Sequence, residues 1–461
     1  MKKHKLWSYS PYKPMFFDNE GIYICRVAPG KNNIHFEWLT DGSVTDVYFR
    51  KRDTGDFKKI GSSANGCFDI ENLEEKCDYE FYVCSNGKQS RIRLARTGES
   101  VGTVVNYLHP DDEAYSFSGR YLCSPSFVKF ENGVLLASMD LYASAHPQNL
   151  TLIFRSDDNG ETWHYVSELH PCFWGKLFIH KNELYMLSCS TEYGDLLIGK
   201  STDMGKTFTE PVVLMRGTNG KNGDVGVHKT PEPVMYFNGR IWNTVEWGSW
   251  GRGYHAVMVM SAPEDSDLTN PDSWSFSEPV KYNPQWEGLP KGDSTGNIEG
   301  TLVQLGGELY NIMRYDMSKM EKPDNYGKIV AYKVDTDNPE NPMKYSHCID
   351  FPANHSKFQI EYDPVSKKFY SVATRILSSE QPFARNLLSL LISDDCEHWE
   401  VKADLLDFRN EDPQKIGFQY VDFMIDGDDL IYLCRTAING AHNFHDANYS
   451  TFHRVRGFRK M

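Results

Sequence analysis

The chain lacks any apolar run approaching the roughly 20 residues that a membrane-crossing helix needs. It also lacks basic excess. Its 49 Lys and Arg stand against 63 Asp and Glu, a formal net charge of −14 with the two signs interspersed. That balance argues against a nucleic-acid backbone as partner, and no membrane partner is expected either. The ten cysteines are scattered, with no C-x-x-C pair. Cys123, Cys189 and Cys434 sit in apolar, strand-like runs and read as buried free thiols in a reducing compartment. The basic start, Met1-Lys2-Lys3-His4-Lys5, leads into Tyr, Pro and Ser rather than an apolar stretch. No signal peptide is read there, so a cytoplasmic location is expected. A secreted form whose signal had been removed would look the same.

What the chain has is length and aromatic residues. At 461 residues it exceeds one ordinary core, so two or more domains are expected. With 26 Tyr, 26 Phe and 10 Trp it has the composition of an all-β, sugar-handling protein. A turn motif recurs. Ser156-Asp157-Asp158-Asn159-Gly160-Glu161-Thr162-Trp163 reads S-x-D-x-G-x-T-W, and residues 201–208 repeat it with Phe208 in place of Trp. Ser393-Asp394-Asp395-Cys396-Glu397-His398-Trp399 is a shortened copy. Each joins two strand-like runs. The Asp can accept hydrogen bonds from its own turn, Gly supplies positive φ, and the aromatic packs between strands. A hairpin repeated at this spacing signals blades.

Residues 1–19 read as an extension. Residues 20–97 alternate in short strands and contain no copy of the turn motif. From 98 to 461 a strand–turn–strand unit recurs six times, for example Val234-Met235-Tyr236-Phe237-Asn238-Gly239-Arg240-Ile241-Trp242 and Leu302-Val303-Gln304-Leu305-Gly306-Gly307-Glu308-Leu309-Tyr310. The expected fold is all-β: a small β-sandwich followed by a six-bladed β-propeller. In a propeller, loops at one end of the central channel converge, so function is sought just before first strands and just after second strands.

The turn motif is identified as the Asp-box, or BNR repeat, of the sialidase-like propellers. Trp38, with Leu73 six residues before Tyr79, resembles a fibronectin type III module with its tyrosine corner. Sialidases grip a sugar carboxylate with three Arg, use a Tyr–Glu pair as nucleophile and base, and use an Asp as acid/base. Asn297-Ile298-Glu299-Gly300 with Arg314 resembles the segment that supplies the Glu and one Arg, and Phe418-Gln419-Tyr420 the segment that supplies the Tyr. The first Arg is replaced by Cys123-Ser124-Pro125, and the expected place of the third reads Asn354-His355-Ser356-Lys357. Two of the three carboxylate ligands are therefore expected to be missing. A resemblance across the propeller is closer. His228-Lys229-Thr230-Pro231-Glu232-Pro233-Val234, Met260-Ser261-Ala262-Pro263-Glu264-Asp265, Gly417-Phe418-Gln419-Tyr420-Val421-Asp422 and His445-Asp446-Ala447-Asn448-Tyr449 look like bacterial proteins of the sialidase type. These are similar to propeller enzymes that cleave L-rhamnose from glucuronate, a group holding both hydrolases and lyases. Where those relatives carry Ser-His-Asp, this chain has Ser138-Met139-Asp140.

The expected function is cleavage of a terminal glycosidic bond at or next to an acidic sugar. Tyr420, Glu299 and His355 are the candidate catalytic residues. For hydrolysis, Glu299 and Tyr420 would serve; for elimination, Tyr420 or His355 would be the base and Arg314 or Lys357 the neutralising cation. Arg314, Arg435, His228, Lys357, Gln419, Trp250, Arg252 and His445 are the candidate substrate-binding residues, Arg314 and Arg435 through bidentate contact with a carboxylate. Trp250 would stack on a sugar ring. The His442–Asp446 loop does not match a zinc spacing, so no metal is assigned. No cofactor is expected, with a structural or catalytic calcium kept open. The partner is an oligosaccharide carrying an acidic sugar. A non-catalytic glycan-binding propeller, a true exo-sialidase and a protein-interaction scaffold remain alternatives.

Overall fold

A computed structural model describes residues 21–218, 224–289, 294, 296–316, 327–353, 356–377, 381 and 383–461. The expected extension, residues 1–19, lies outside them. Among the described residues the chain is almost entirely strand, with three short 3-10 turns, and no helix is long and apolar enough to cross a membrane. All ten cysteines are free.

The first strands build two sheets. Ile24–Pro29, Ile34–Trp38 and Cys67–Ile70 form one, and the other centres on Thr45–Lys51 and Asp78–Ser85. Their alternating apolar residues meet in a common core of Ile24, Val27, Phe36, Trp38, Val47, Phe81 and Val83. The Tyr79 hydroxyl accepts from the Glu74 amide at 3.0 Å, five residues upstream, with Leu73 packed on the same core. The unit is tied to the rest of the chain by buried charge. Arg26 donates to the Val104 and Val105 carbonyls at 2.9 and 2.8 Å and to Glu37 at 2.9 Å. Arg93 pairs with Asp112 at 2.7 Å, both buried. Asp112, the middle residue of the acidic run Asp111-Asp112-Glu113 that as a sequence suggests a solvated connector, is a buried anchor.

Among the described residues, those beyond 98 form six sheets of four or more strands, each antiparallel. We call them blades one to six. Their inner strands are Tyr121–Lys129, Phe173–His180, the pair Gly226–His228 and Met235–Phe237, Asn297–Leu305, Glu361–Asp363 and Gly417–Asp426. Blade six takes its outermost strand, Thr103–Tyr107, from the start of the region, so the two ends of the propeller region meet in one sheet. Arg26 caps the outer side of this closing strand. Successive blades share apolar clusters. Trp163 of blade one, for example, meets Phe452 of blade six at 5.5 Å between ring centroids.

The two full copies of the turn motif have one geometry. Gly160 N donates to Ser156 Oγ at 2.8 Å, and Asp158 accepts from the amide and hydroxyl of Thr162 at 2.9 and 2.6 Å. Gly205, Ser201, Asp203 and Thr207 repeat this at 2.9, 2.9 and 2.6 Å. The shortened copy places Cys396, at φ 66°, where the others use Gly. Gly160 has φ 91°, and a Cβ there would lie 2.1 Å from the Phe452 ring. Gly133 has φ 88° with nothing near its missing Cβ. Gly160→Ala is therefore expected to cost about 2–4 kcal/mol, backbone strain plus overpacking, and Gly133→Ala about 1 kcal/mol. Thermal and urea denaturation midpoints of the two variants check the difference.

Candidate functional site

Four inner strands break their register at one equivalent place: between Cys123 and Ser126, Phe173 and Lys176, Ile298 and Thr301, and Gln419 and Asp422. Inside each bulge one residue takes the left-handed conformation: Ser124 (φ 44°), Trp174 (53°), Glu299 (58°) and Tyr420 (55°). No glycine relieves these positions, and such backbone strain concentrates at functional sites. The residue before the bulge faces a fixed partner on the second strand: Cys123 faces Asp140, Ile298 faces Arg314, and Gln419 faces Arg435. In blade three His228 faces Glu246 in the same way. The sheet register thus sets a ring of side chains at one end of the channel.

Across that end, from blades six and four, Tyr420 Oη donates to Glu299 Oε1 at 2.6 Å. Arg314 donates from Nη1 to Glu299 Oε2 at 2.5 Å and stands 3.5 Å from Tyr420 Oη. Burial alone would raise the Glu299 carboxyl, but Arg314, the Tyr420 hydroxyl and His228 hold it below the ordinary carboxylate range. Burial pushes the Tyr420 hydroxyl up, with Glu299 adding and three arginines opposing. The pair therefore rests as carboxylate and phenol, ready for the carboxylate to take the proton.

Three guanidiniums surround this tyrosine. Besides Arg314, the charges of Arg435 and Arg385 lie 5.2 and 5.8 Å from the Tyr420 ring centroid. Arg435 is held by Cys123 Sγ at 3.1 Å and by the His445 carbonyl. Gln419 accepts from Arg385 and donates to the Phe444 carbonyl at 2.6 Å, so it positions an arginine from full burial. Burial, with the nearby charges of Arg314 and Arg435, pushes Arg385 down to about 10 against the pull of Tyr420. The Nε donors of Arg314 and Arg435 are buried with no acceptor among the described residues. Crowded cations and unsatisfied buried donors are the signature of a place built for an anion. Of the three positions in the sialidase pattern only that of Arg314 holds an arginine here; Arg385 and Arg435 reach Tyr420 from other places in the fold.

The other sequence candidates divide. His228 and Trp250 lie on the blade-three side of the mouth, Trp250 with 41% of its surface exposed. Arg252 is at the exposed rim, 3.5 Å from Asp224. His445 binds Asp446 at 2.8 Å, and burial with Arg435 holds its imidazole down at about 4. Lys357 is fully buried, 3.2 Å from Glu232 and donating to the Val421 carbonyl, so its ammonium belongs to the channel interior rather than to a ligand. His355 lies outside the described residues. Asp140 is buried on Thr151 and the Trp174 amide, a structural role. Among the described residues no three His, Cys, Asp or Glu side chains gather to hold a metal. A cavity of about 770 Å³ opens at the other end of the propeller, around the Gly306-Gly307 hairpin, and contains none of the Tyr420 cluster.

Sequence reasoning missed Arg385, Glu246, Tyr193 and Tyr142, whose ring lies 5.7 Å from the Arg435 charge. Glu246 stands in the register of Arg314 and Arg435, so aligning the ends of the second strands would have found it. Arg385 precedes a third strand, Leu387–Ser393, a position outside the rule applied to the sequence.

No protein-family model matches the chain, and no curated protein matches it. Solved structures do resemble it. The Penicillium chrysogenum α-L-arabinanase complexed with arabinobiose superposes with a TM-score of 0.51 at 14% identity, over 78% of this chain and 98% of that one. A mutant α-L-arabinofuranosidase of Fusarium graminearum with an iminosugar inhibitor gives 0.52 at 14%, over 77% and 98%. The leech intramolecular trans-sialidase complexed with 2,7-anhydro-Neu5Ac gives 0.50 at 10%, over 95% and 92%. At these identities the likeness is one of fold: the chain is an all-β propeller.

The buried pair predicts an asymmetry in stability. Tyr420→Phe removes one hydrogen bond and is expected to cost about 0.5–1.5 kcal/mol. Glu299→Ala strands the Arg314 charge and is expected to cost about 3–5 kcal/mol. Denaturant midpoints compare the two.

Proposed function

We propose that this chain is a six-bladed propeller with a fibronectin type III-like module, and that it cleaves a glycosidic bond at or next to an acidic sugar. The single observation that carries the reading is the Tyr420–Glu299 hydrogen bond at 2.6 Å inside a cage of three arginines. Arg314, Arg385 and Arg435 bind the sugar carboxylate, which relieves their mutual repulsion. With the anion seated, the anomeric carbon sits over Tyr420 Oη. Glu299 takes the phenol proton as Tyr420 attacks, giving a glycosyl-tyrosine that water then releases. The similarity of the sequence to rhamnose–glucuronate-cleaving propellers makes that linkage the first substrate to try.

Elimination is the second reading, supported by that same sequence similarity. It uses Arg314 to neutralise a uronate carboxylate and the Tyr420 oxygen as the base. The two reactions leave different products. Incubation with a panel of uronic-acid and sialic-acid oligosaccharides, including rhamnose–glucuronate-capped glycans, is expected to release a saturated sugar. A product with the near-ultraviolet absorbance of a conjugated enol ether would assign the lyase. Saturable binding without product would make the propeller a glycan-binding protein. Tyr420→Phe and Glu299→Gln are each expected to lower kcat/KM by about 10²–10⁴, and Arg385→Met to act mainly on KM. Turnover like the wild type in the first two variants would overturn the residue assignment.

A further inference from the structure

The cluster around Tyr420 supplies a nucleophile, its base and a carboxylate clamp. A glycosidic bond to a poor leaving group also needs a proton delivered to the departing oxygen. His228 is at the mouth and is built for proton transfer. It ends the first segment of blade three's inner strand, paired in register with Glu246. Its Nδ1 lies 2.6 Å from Glu246 Oε2. With Glu246 as the acceptor there, Nδ1 carries hydrogen and Nε2 is the atom presented to a ligand. No partner takes Nε2 among the described residues. The ring is wedged edge-on against Trp174 at 4.4 Å between centroids, which fixes its plane.

Glu246 also reaches the nucleophile's base. Its other oxygen accepts from the Glu299 amide at 3.1 Å. One buried carboxylate therefore fixes both the strained backbone that presents Glu299 and the tautomer of His228. The groups facing His228 are Glu246, Glu299, His255 and Tyr193. His255 is 5.0 Å from it between ring centroids, and burial holds that imidazole neutral, well below its usual range. His255 is in turn held by Tyr193 Oη at 3.1 Å and covered edge-on by the half-exposed Trp250 at 4.6 Å. Trp250 offers an indole surface next to His228 on which the departing sugar can rest.

We propose that His228 is the acid that protonates the leaving oxygen, with Glu246 as its positioning residue, so that the leaving group occupies the blade-two and blade-three side of the mouth. The inference rests on the hydrolytic reading above. In the first step a bond forms between Tyr420 Oη and the anomeric carbon, and the phenol proton passes to Glu299. The glycosidic C–O bond breaks, its electron pair stays on the leaving oxygen, and the imidazolium gives that oxygen the Nε2 proton. In the second step neutral His228 takes a proton from the attacking water. The water oxygen displaces Tyr420, and Glu299 returns the phenol proton.

Leaving-group dependence tests this. The acidic sugar that the wild-type chain cleaves is presented as its 2,4-dinitrophenyl glycoside, which departs without protonation, and as its methyl glycoside, which does not. His228→Gln is expected to lose about 10²–10⁴-fold in kcat/KM on the methyl glycoside and less than about tenfold on the dinitrophenyl one. Glu246→Gln is expected to show the same dependence with a smaller loss, because the imidazole remains but its tautomer is no longer held. Equal losses on both glycosides overturn the inference. If His228→Gln does not fold, as judged by its thermal melt, Glu246→Gln carries the comparison, and an equal loss there contradicts the proposal. Tyr420→Phe is run alongside. If it keeps activity on both glycosides the hydrolytic reading falls, whereas its failure on both, with equal losses in His228→Gln, removes only the role of His228.

Discussion

The hydrogen bond between Tyr420 and Glu299 joins residues 121 positions apart, across the channel between blades six and four. It exists only if the ring is closed and each inner strand bulges at the right register. The bulge puts both residues at positive φ, near 55–58°, a conformation unfavourable for side chains of their size. The rest of the propeller supports that strain. The closing strand Thr103–Tyr107 completes blade six, and the N-terminal sheets grip its outer side through Arg26. The site's geometry thus depends on a strand far from it in sequence and on a unit that contributes no residue to it.

Beneath the pair the channel is filled with charge. Lys176 binds Asp422 at 2.6 Å, and Lys357 binds Glu232 at 3.2 Å, all four buried. Burial pushes Glu232 up to about 7 against the pull of Lys357, and pushes Lys229, which donates to the Trp174 and Thr230 carbonyls, down to about 8. Removing two charges from water costs about what their attraction returns, so such pairs add little net stability. Here they join inner strands of blades two and six and of blades three and five, which an apolar plug would not hold in one register. The same residues fill the channel interior below the end where Tyr420 lies.

The architecture was legible because it is local. The recurring turn motif is a hairpin whose Ser, Asp, Gly and aromatic residue act within eight positions, as their hydrogen bonds show. Glu299, Arg314 and Tyr420 were legible because they stand at strand ends, where a propeller gathers its functional groups. Arg385 was not, because it reaches the mouth from the start of a third strand through Gln419, a long-range contact with no spacing signal. Lys357 misled for the opposite reason. It stands at a plausible strand start, but its side chain turns into the channel toward Glu232. Asp112 shows the same limit, since a run of three acids gives no sign that one of them meets Arg93 in the interior.

The account depends on Tyr420 being the atom that bonds to sugar. The most direct measurement is to treat the protein with a fluorinated glycosyl fluoride of the acidic sugar that the proposed reaction would release, then to digest it and map the modified peptide by mass spectrometry. Attachment of the sugar at Tyr420, abolished in Tyr420→Phe and slowed in Glu299→Gln, is the predicted result. Turnover of the natural substrate with no adduct on Tyr420, or an adduct on another side chain, would contradict it.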